Sequence, residues 1–186
     1  MRAATERGPS RRVVRLARLA ALAPLPTGLW RIAGACGVPL GFSGDDPLAD
    51  VRFGSGFSLY MIGLSVFAEM LGLLALGLVR PWGEVAPRWL PLIGGRRVPP
   101  LAAVIPAGLG AAALTLLGVM GAIGWNAPGN MGAPGSPTGP AYWVMTACYL
   151  PLVAWGPLLA VVTVAYHRRR TVPHVRRRTH PLSVDA

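Results

Sequence analysis

Two ionisable residues lie inside long apolar stretches of this sequence. Arg31 falls in the stretch at about 19–42, and Glu69 lies near the middle of the stretch at 57–79. A charge at membrane depth is costly unless it is paired or hydrated, so each residue is a candidate functional group. Small residues lie one helical turn from each charge, which suits contact between two helices. We therefore hypothesise that Arg31 and Glu69 form an intramembrane charged pair.

Other interpretations of these two charges stay open. A buried ion pair can serve packing and specificity rather than an activity. Arg31 can also extend its side chain to the lipid head groups at the membrane surface. Glu69 is alternatively the proton- or cation-linked group of a small transporter or channel-like protein. The residues alone do not decide between these roles.

The remaining reactive residue types give little sign of catalysis. Cys36 and Cys148 are a conceivable disulfide, but two separate apolar thiols are the commoner case. His167, His174 and His180 are too widely spaced for a typical metal site, which usually has closer spacing with Cys or carboxylate partners. Paired carboxylates, nucleophile elbows and nucleotide-binding loops are missing from the sequence. We expect no catalytic residues, no metal and no cofactor.

The composition indicates a membrane protein. Hydrophobic residues make up 53% of the 186 positions and charged residues only 13%, whereas soluble domains carry roughly 25% charged residues. The net charge of +11 could suggest nucleic acid as a partner. Because the Arg residues cluster beside apolar stretches and no nucleic-acid-binding motif is present, anionic lipid head groups are the expected partner instead.

Four apolar stretches have the length of membrane-spanning helices, at about 19–42, 57–79, 101–125 and 142–166. Six Arg residues precede the first stretch, four lie between the second and third, and six follow the fourth. If all four stretches cross, the opposite side receives only Arg52. This is the positive-inside pattern. It predicts an all-α bundle of four transmembrane helices with both termini in the cytoplasm.

The same pattern divides the chain into three parts. Residues 1–12 are predicted to be a disordered basic N-terminus, 13–167 the transmembrane domain, and 168–186 a disordered basic cytoplasmic tail. Pro24 and Pro26 predict a kink or break in the first span.

The N-terminus also has features of a signal peptide, because Arg residues precede an apolar region. Arg31 interrupts that region, which favours an uncleaved first span.

Arginine and tryptophan beside the apolar stretches are typical of the head-group region, where a cation and an amphipathic ring both find partners. We predict that the following residues contact lipid head groups: Arg80, Trp82, Arg88, Trp89, Arg96, Arg97, Arg168, Arg169 and Arg170. The third span contains Pro106, Gly108, Gly110, Gly118, Gly121 and Gly124, and small residues three or four apart predict the close approach of another helix.

Several short motifs resemble those of a group of bacterial membrane proteins. They are Arg80-Pro81-Trp82-Gly83-Glu84, Pro87-Arg88-Trp89, Gly95-Arg96-Arg97-Val98-Pro99, Tyr149-Leu150-Pro151 and Trp155-Gly156-Pro157-Leu158. With them the chain resembles uncharacterised small four-span integral membrane proteins of high-GC Gram-positive (actinobacterial) bacteria. The resemblance implies a multi-pass protein of the plasma membrane and supplies no activity.

These observations lead to one functional expectation and one alternative. We expect a non-enzymatic structural or regulatory membrane subunit, working as a homo-oligomer or with a membrane partner protein. The alternative is the small transporter that uses Glu69.

Overall fold

Five α-helices make up the part of the chain that the computed structural model describes, namely residues 8–44, 46–83, 85, 95 and 97–171. They are α1 (Arg11–Leu22), α2 (Leu25–Ala35), α3 (Gly56–Ala75), α4 (Pro100–Ile123) and α5 (Pro140–Thr171). Two short 3-10 turns follow α3, at Leu76–Val79 and Pro81–Gly83. Within these described ranges the only strand-like pairing is an isolated bridge between Val85 and Arg97.

Three of the helices are long and apolar enough to span a membrane. They are α3 with the 3-10 turn that follows it (Gly56–Val79), α4 (Pro100–Ile123) and α5 (Pro140–Thr171). These bounds are close to three of the predicted spans. Many large apolar side chains on α3 and α4 point away from the bundle, among them Phe67, Leu116 and Ile123. Such exposure is unfavourable in water and is normal against lipid. The predicted all-α class is confirmed for the described residues, and three of their helices could span a membrane.

The bounds of the first predicted span, 19–42, are wrong. The chain forms α1 and α2 instead, separated at Ala23 and Pro24, so the predicted break is confirmed. Helix α2 ends at Ala35 rather than near residue 42. Gly37 and Gly41 then adopt φ angles of +90° and +89°. This left-handed conformation ends a helix and favours glycine.

Both predicted disordered segments begin or end inside a helix, which corrects their boundaries. Helix α1 begins at Arg11 because the side chain of Ser10 caps it, accepting a hydrogen bond from the Val13 amide at 3.4 Å. Helix α5 continues to Thr171, so residues 168–171 are not part of a disordered tail. Residues 1–7 and 172–186 lie outside the described part of the chain.

Helices α1 and α2 together run antiparallel to the whole of α3, with small residues at seven-residue intervals. A Cβ atom on Gly72 would lie 3.0 Å from the carbonyl oxygen of Ala21, and one on Gly28 would lie 3.7 Å from Cβ of Ser65. At the far end, the Ser58 hydroxyl donates to the Ala35 carbonyl at 2.9 Å. A seven-residue repeat keeps contacts on one helical face. The broken segment therefore follows α3 from end to end.

Helices α4 and α5 form a second close antiparallel pair. A Cβ atom on Gly118 would lie 3.2 Å from Cα of Val153, and one on Gly156 would overlap the backbone of Thr115. The predicted close approach at Gly118 is confirmed. Gly108 and Gly121 have open space around them, with no atom within 4 Å of an added Cβ, so the approach predicted there is wrong. One face of α4 meets α5, and the remainder is exposed.

Helix α5 is the centre of the bundle, since it packs against α1, α2 and α4. Helices α3 and α4 have at most marginal direct contact, which leaves a gap between them. The buried apolar core lies near the arginine-rich end, where small Ala residues of α1 let the helices close together. Its members are Ala17, Ala20, Ala23, Ala75, Leu78, Ala111, Trp155, Leu159, Val162 and Tyr166.

Candidate ligand-binding cavity

A cavity of about 540 Å³ occupies the gap between α3 and α4. Helices α2 and α5 supply the rest of its wall, so four helices contribute side chains to it. It is only partly enclosed, because α3 and α4 do not close over it. The side chains that line it change from polar at the end that carries the 36–55 and 124–139 loops, here called the arginine-poor end, to apolar further in.

Arg31 and Tyr149 form the polar part of the wall where α2 meets α5. The Nε of Arg31 donates to the Tyr149 hydroxyl at 3.2 Å, and its guanidinium lies 5.5 Å from the centre of the Tyr149 ring. One turn earlier, the Thr27 hydroxyl donates to the Cys148 carbonyl at 2.7 Å and fixes α2 against α5. Among the described residues that line the cavity, Arg31 is the only charged one.

Aromatic rings surround Tyr149 and hold its position. Trp30 meets it edge-on at 5.5 Å between ring centres, and Trp125 does so at 5.9 Å. The edge of one ring carries positive charge and the face of the other negative charge, so this arrangement is favourable. Trp125 also donates from Nε1 to the Tyr142 hydroxyl at 3.1 Å. Tyr149, the partner of Arg31, therefore lies in a cluster of aromatic rings.

Asn130 completes the polar rim. Its amide donates to the carbonyls of Gly121 and Gly124, at 3.3 and 2.8 Å. These carbonyls lie at the C-terminus of α4, where helix carbonyls lack backbone donors. The loop after α4 is thus folded back over the end of its own helix. The Asn130 side chain therefore attaches this loop to the end of α4.

The deeper wall is mainly apolar. Its Thr27 and Ser65 hydroxyls donate to backbone carbonyls, and one further polar atom has no partner among the described residues. Apolar side chains from three helices line it, including Leu64, Leu114, Leu117 and Val153. Trp155 also contributes to this wall and is 5% exposed, and its indole Nε1 is buried without a hydrogen-bond acceptor. A cavity with this gradient suits a molecule that has a polar end and an apolar end.

Glu69 lies beside the cavity at the helix break. Its Oε1 atom is buried without a hydrogen-bond partner, and a Cβ atom on Gly28 would lie 3.5 Å from it. Gly28 belongs to the first turn of α2, where the helix dipole places partial positive charge. The carboxylate thus lies next to the positive end of a short helix.

The structure does not bring Arg31 and Glu69 together as an ion pair. Within the described residues neither side chain has a salt-bridge partner, and Arg31 bonds to Tyr149 instead. The two charges do share one side of α2, since Glu69 lies against Gly28 and Arg31 follows Gly28 by three residues. Tyr149 offers Arg31 both a hydroxyl oxygen and a ring face, which accounts for the different partner.

The predicted head-group residues divide into three groups. Arg80, Trp82, Arg97 and Arg168 are exposed at the arginine-rich end, as lipid contact requires. Trp82 also folds over the 3-10 turn, where its ring would lie 2.7 Å from a Cβ atom on Gly77. Arg88, Trp89 and Arg96 lie outside the described residues. Arg169 and Arg170 form the third group.

Arg169 and Arg170 contact the protein itself. Arg169 donates to the Leu78 carbonyl at 3.3 Å and Arg170 to the Val98 carbonyl at 2.8 Å. Both guanidinium groups lie 5.8 Å from the centre of the Tyr166 ring, and the Tyr166 hydroxyl donates to the Gly83 carbonyl at 3.0 Å. These contacts attach the segment that follows α3 and the segment that precedes α4 to the C-terminal end of α5.

The described residues include both cysteines and one of the three histidines considered above. Cys36 and Cys148 are free thiols, with Cys36 exposed and Cys148 half-buried. His167 lies in α5 with its Nδ1 buried and without a partner. His174 and His180 fall outside the described range. The described residues contain no group of three or more side chains that could hold a metal ion.

Sequence reasoning missed Tyr149 as the partner of Arg31. It also missed Tyr142, Trp125 and Asn130 as parts of one polar rim. A signal was present, because Tyr149 interrupts an apolar span with a polar hydroxyl. Its partner could not be deduced, since α2 and α5 are separated by more than one hundred residues.

No family model matches the chain, and comparisons with curated proteins and with solved structures find no significant match. The resemblance to actinobacterial four-span proteins therefore stays a prediction.

Proposed function

We propose that this is a four-span protein of the bacterial plasma membrane with both termini in the cytoplasm. The contacts between the broken first segment and α3 support a fourth crossing. Three contacts at seven-residue spacing, at Gly72, Ser65 and Ser58, run along the length of α3, so α1 and α2 together extend as far as α3 does. A discontinuous helix is tolerated at membrane depth where protein or a cavity surrounds the break. Pro24, at the break, lines the cavity.

The protein acts in this proposal as a non-enzymatic membrane subunit that binds an amphiphilic membrane component in the cavity. The observation that carries it is the gap between α3 and α4, which is lined by four helices and only partly enclosed. A ligand can enter such a gap sideways from the bilayer. A structural or regulatory role follows if occupancy changes how α3 and α4 meet a second copy or a membrane partner.

Filling the cavity tests this proposal. Ala122 lines the cavity and is exposed, whereas Ala112 is exposed on the same helix outside it. Purified, delipidated protein should gain thermal stability when a total membrane lipid extract is added, because binding to the native state stabilises it. The gain should be largely lost in Ala122→Trp and retained in Ala112→Trp. An equal gain in both variants and in the wild type would contradict a cavity ligand.

Transport is the second candidate, and Glu69 is the observation that favours it. A buried carboxylate oxygen without a partner, next to a helix break, resembles the ion sites of discontinuous membrane helices. Proteoliposomes with an internal pH dye test it. Proton or sodium flux that requires Glu69 and is lost in Glu69→Gln supports transport. No flux above empty vesicles in the wild type counts against it.

The exposed arginines at the other end are proposed to bind anionic head groups of the cytoplasmic leaflet. Arg11, Arg12, Arg15 and Arg18 lie on the exposed side of α1, and Arg168 is exposed on α5. Each such residue near an anionic surface contributes about 1 kcal/mol.

A further inference from the structure

We infer that the ligand of the cavity is an anionic lipid from the leaflet at the arginine-poor end, with its head group at Arg31 and an acyl chain between α3 and α4. This inference rests on the proposed binding function and names the ligand class of that same cavity. Three observations carry it: the charge of Arg31, the polarity gradient along the wall, and the lateral opening.

Glu69 lies against Gly28, one turn of α2 before Arg31, but the two side chains do not form an ion pair. No described carboxylate pairs with Arg31, and no acidic side chain is among the described residues that line the cavity. A guanidinium group has five N–H donors, and the bond to Tyr149 uses the one on Nε. The remaining donors suit the bidentate binding of a phosphate or carboxylate group.

The rim around Arg31 suits a lipid head group. Trp125 donates a hydrogen bond to Tyr142, and the side-chain amide of Asn130 donates one to the Gly124 carbonyl at the end of α4. Tryptophan and tyrosine side chains are common at the level of head groups, where one end is apolar and the other is wet. A head group here would meet polar side chains of α2, α5 and the loop after α4.

The deeper wall suits an acyl chain. Leu64, Leu114, Leu117 and Val153 supply apolar surface from α3, α4 and α5. Because α3 and α4 hardly touch, a chain can lie between them while the second chain of the same lipid stays in the bilayer. A soluble anion would leave this apolar surface uncovered. These features favour a lipid over free phosphate.

The test measures lipid retention by the full-length chain. Delipidated protein receives dioleoyl phosphatidylglycerol or dioleoyl phosphatidylcholine, which share acyl chains and differ in head-group charge. Native mass spectrometry then counts the retained molecules. Wild type should retain phosphatidylglycerol roughly tenfold better than phosphatidylcholine, as expected for one charged hydrogen-bonded contact. Inorganic phosphate at equal ionic strength should not displace the lipid.

Two arginine variants separate the cavity from surface attraction. Arg31→Gln should lower phosphatidylglycerol retention roughly tenfold. Arg52→Gln removes the same charge from an exposed loop position at the same end of the molecule and should change retention less than about twofold. Arg31→Lys keeps the charge and should retain an intermediate amount. It also provides a folded comparison if Arg31→Gln is unstable.

The outcomes distinguish the two proposals. Equal retention of both lipids, or unchanged phosphatidylglycerol retention in Arg31→Gln, overturns the anionic head-group site. Neither result contradicts the proposal that the cavity binds a ligand. Loss of phosphatidylglycerol on adding inorganic phosphate identifies a free-anion site and also overturns the inference. No effect of Ala122→Trp on lipid stabilisation defeats the proposed function itself.

Discussion

The hydroxyl of Tyr149 accepts a hydrogen bond from Nε of Arg31, and the same ring lies beneath the guanidinium at 5.5 Å. These two residues are therefore expected to be coupled in energy, whereas Arg31 and Glu69 are not. Tyr149→Phe should lower the free energy of unfolding in detergent by about 1–2 kcal/mol, because a hydrogen bond to a charged group is lost.

Double-mutant cycles measure the two couplings directly. Arg31→Leu with Tyr149→Leu should give a coupling of about 1 kcal/mol or more, since a hydrogen bond and a cation–π contact are both removed. Arg31→Leu with Glu69→Leu should be additive within about 0.5 kcal/mol. A larger coupling energy between Arg31 and Glu69 would instead support the charged pair predicted from the sequence.

The crossing of α4 and α5 gives a prediction with an internal control. Gly156→Ala places a Cβ atom against the backbone of Thr115 and should cost about 1–3 kcal/mol through overpacking. Gly108→Ala adds the same methyl group where nothing lies within 4 Å. It should be neutral or stabilise by up to about 1 kcal/mol, because alanine favours helix. Thermal unfolding of both variants decides the matter, and equal effects would argue against this crossing point.

Reporter fusions test the proposed topology. Alkaline phosphatase fused after residue 48 or 133 should be active outside the cell, and fusions after residues 90 and 180 should be inactive. Activity at residue 90 would refute the four-span arrangement. A cleaved N-terminus would reduce it to three spans.

The hydrogen bond between Arg170, at the end of α5, and the Val98 carbonyl gives a prediction about stability. Arg170→Ala should lower the free energy of unfolding by about 1–2 kcal/mol, because its bond to the Val98 carbonyl is lost. Arg168→Ala, at an exposed position in the same turn, should change it by less than about 0.5 kcal/mol. Chemical unfolding in detergent compares the two. Similar losses would show that their shared charge matters more than the bond.

The sequence predicted the long helices well and the first segment less well, for physical reasons. Helices α3, α4 and α5 each coincide with a predominantly apolar run of span length between charged segments or loops, so span length located them. The break before Leu25 could be predicted because two prolines lack the amide that a helix requires. The early end of α2 was missed because residues 36–42 remain largely apolar, although Gly37 followed by Pro39 is a known signal for the end of a helix.

The candidate site was only partly predictable. Helical periodicity placed Arg31 and Glu69 on faces with small neighbours, and those faces do make the contact between α2 and α3. It could not say which third helix would join them. Tyr149 reaches Arg31 only because Thr27 and the Cys148 carbonyl bring α5 alongside α2, a long-range contact that no local pattern encodes.

The seven-residue register between the broken segment and α3 limits how the length of this chain can change. Inserting one residue in α2 would rotate everything beyond it by about 100° and turn Ala35 away from the Ser58 hydroxyl that now donates to its carbonyl. Insertions within α2 or α3 should therefore disrupt folding, whereas insertions in the segments 36–55 and 124–139, which connect helices, should be tolerated. A library of single-residue insertions, scored by the amount of folded protein in the membrane, would show tolerance in these segments and intolerance in α2 and α3.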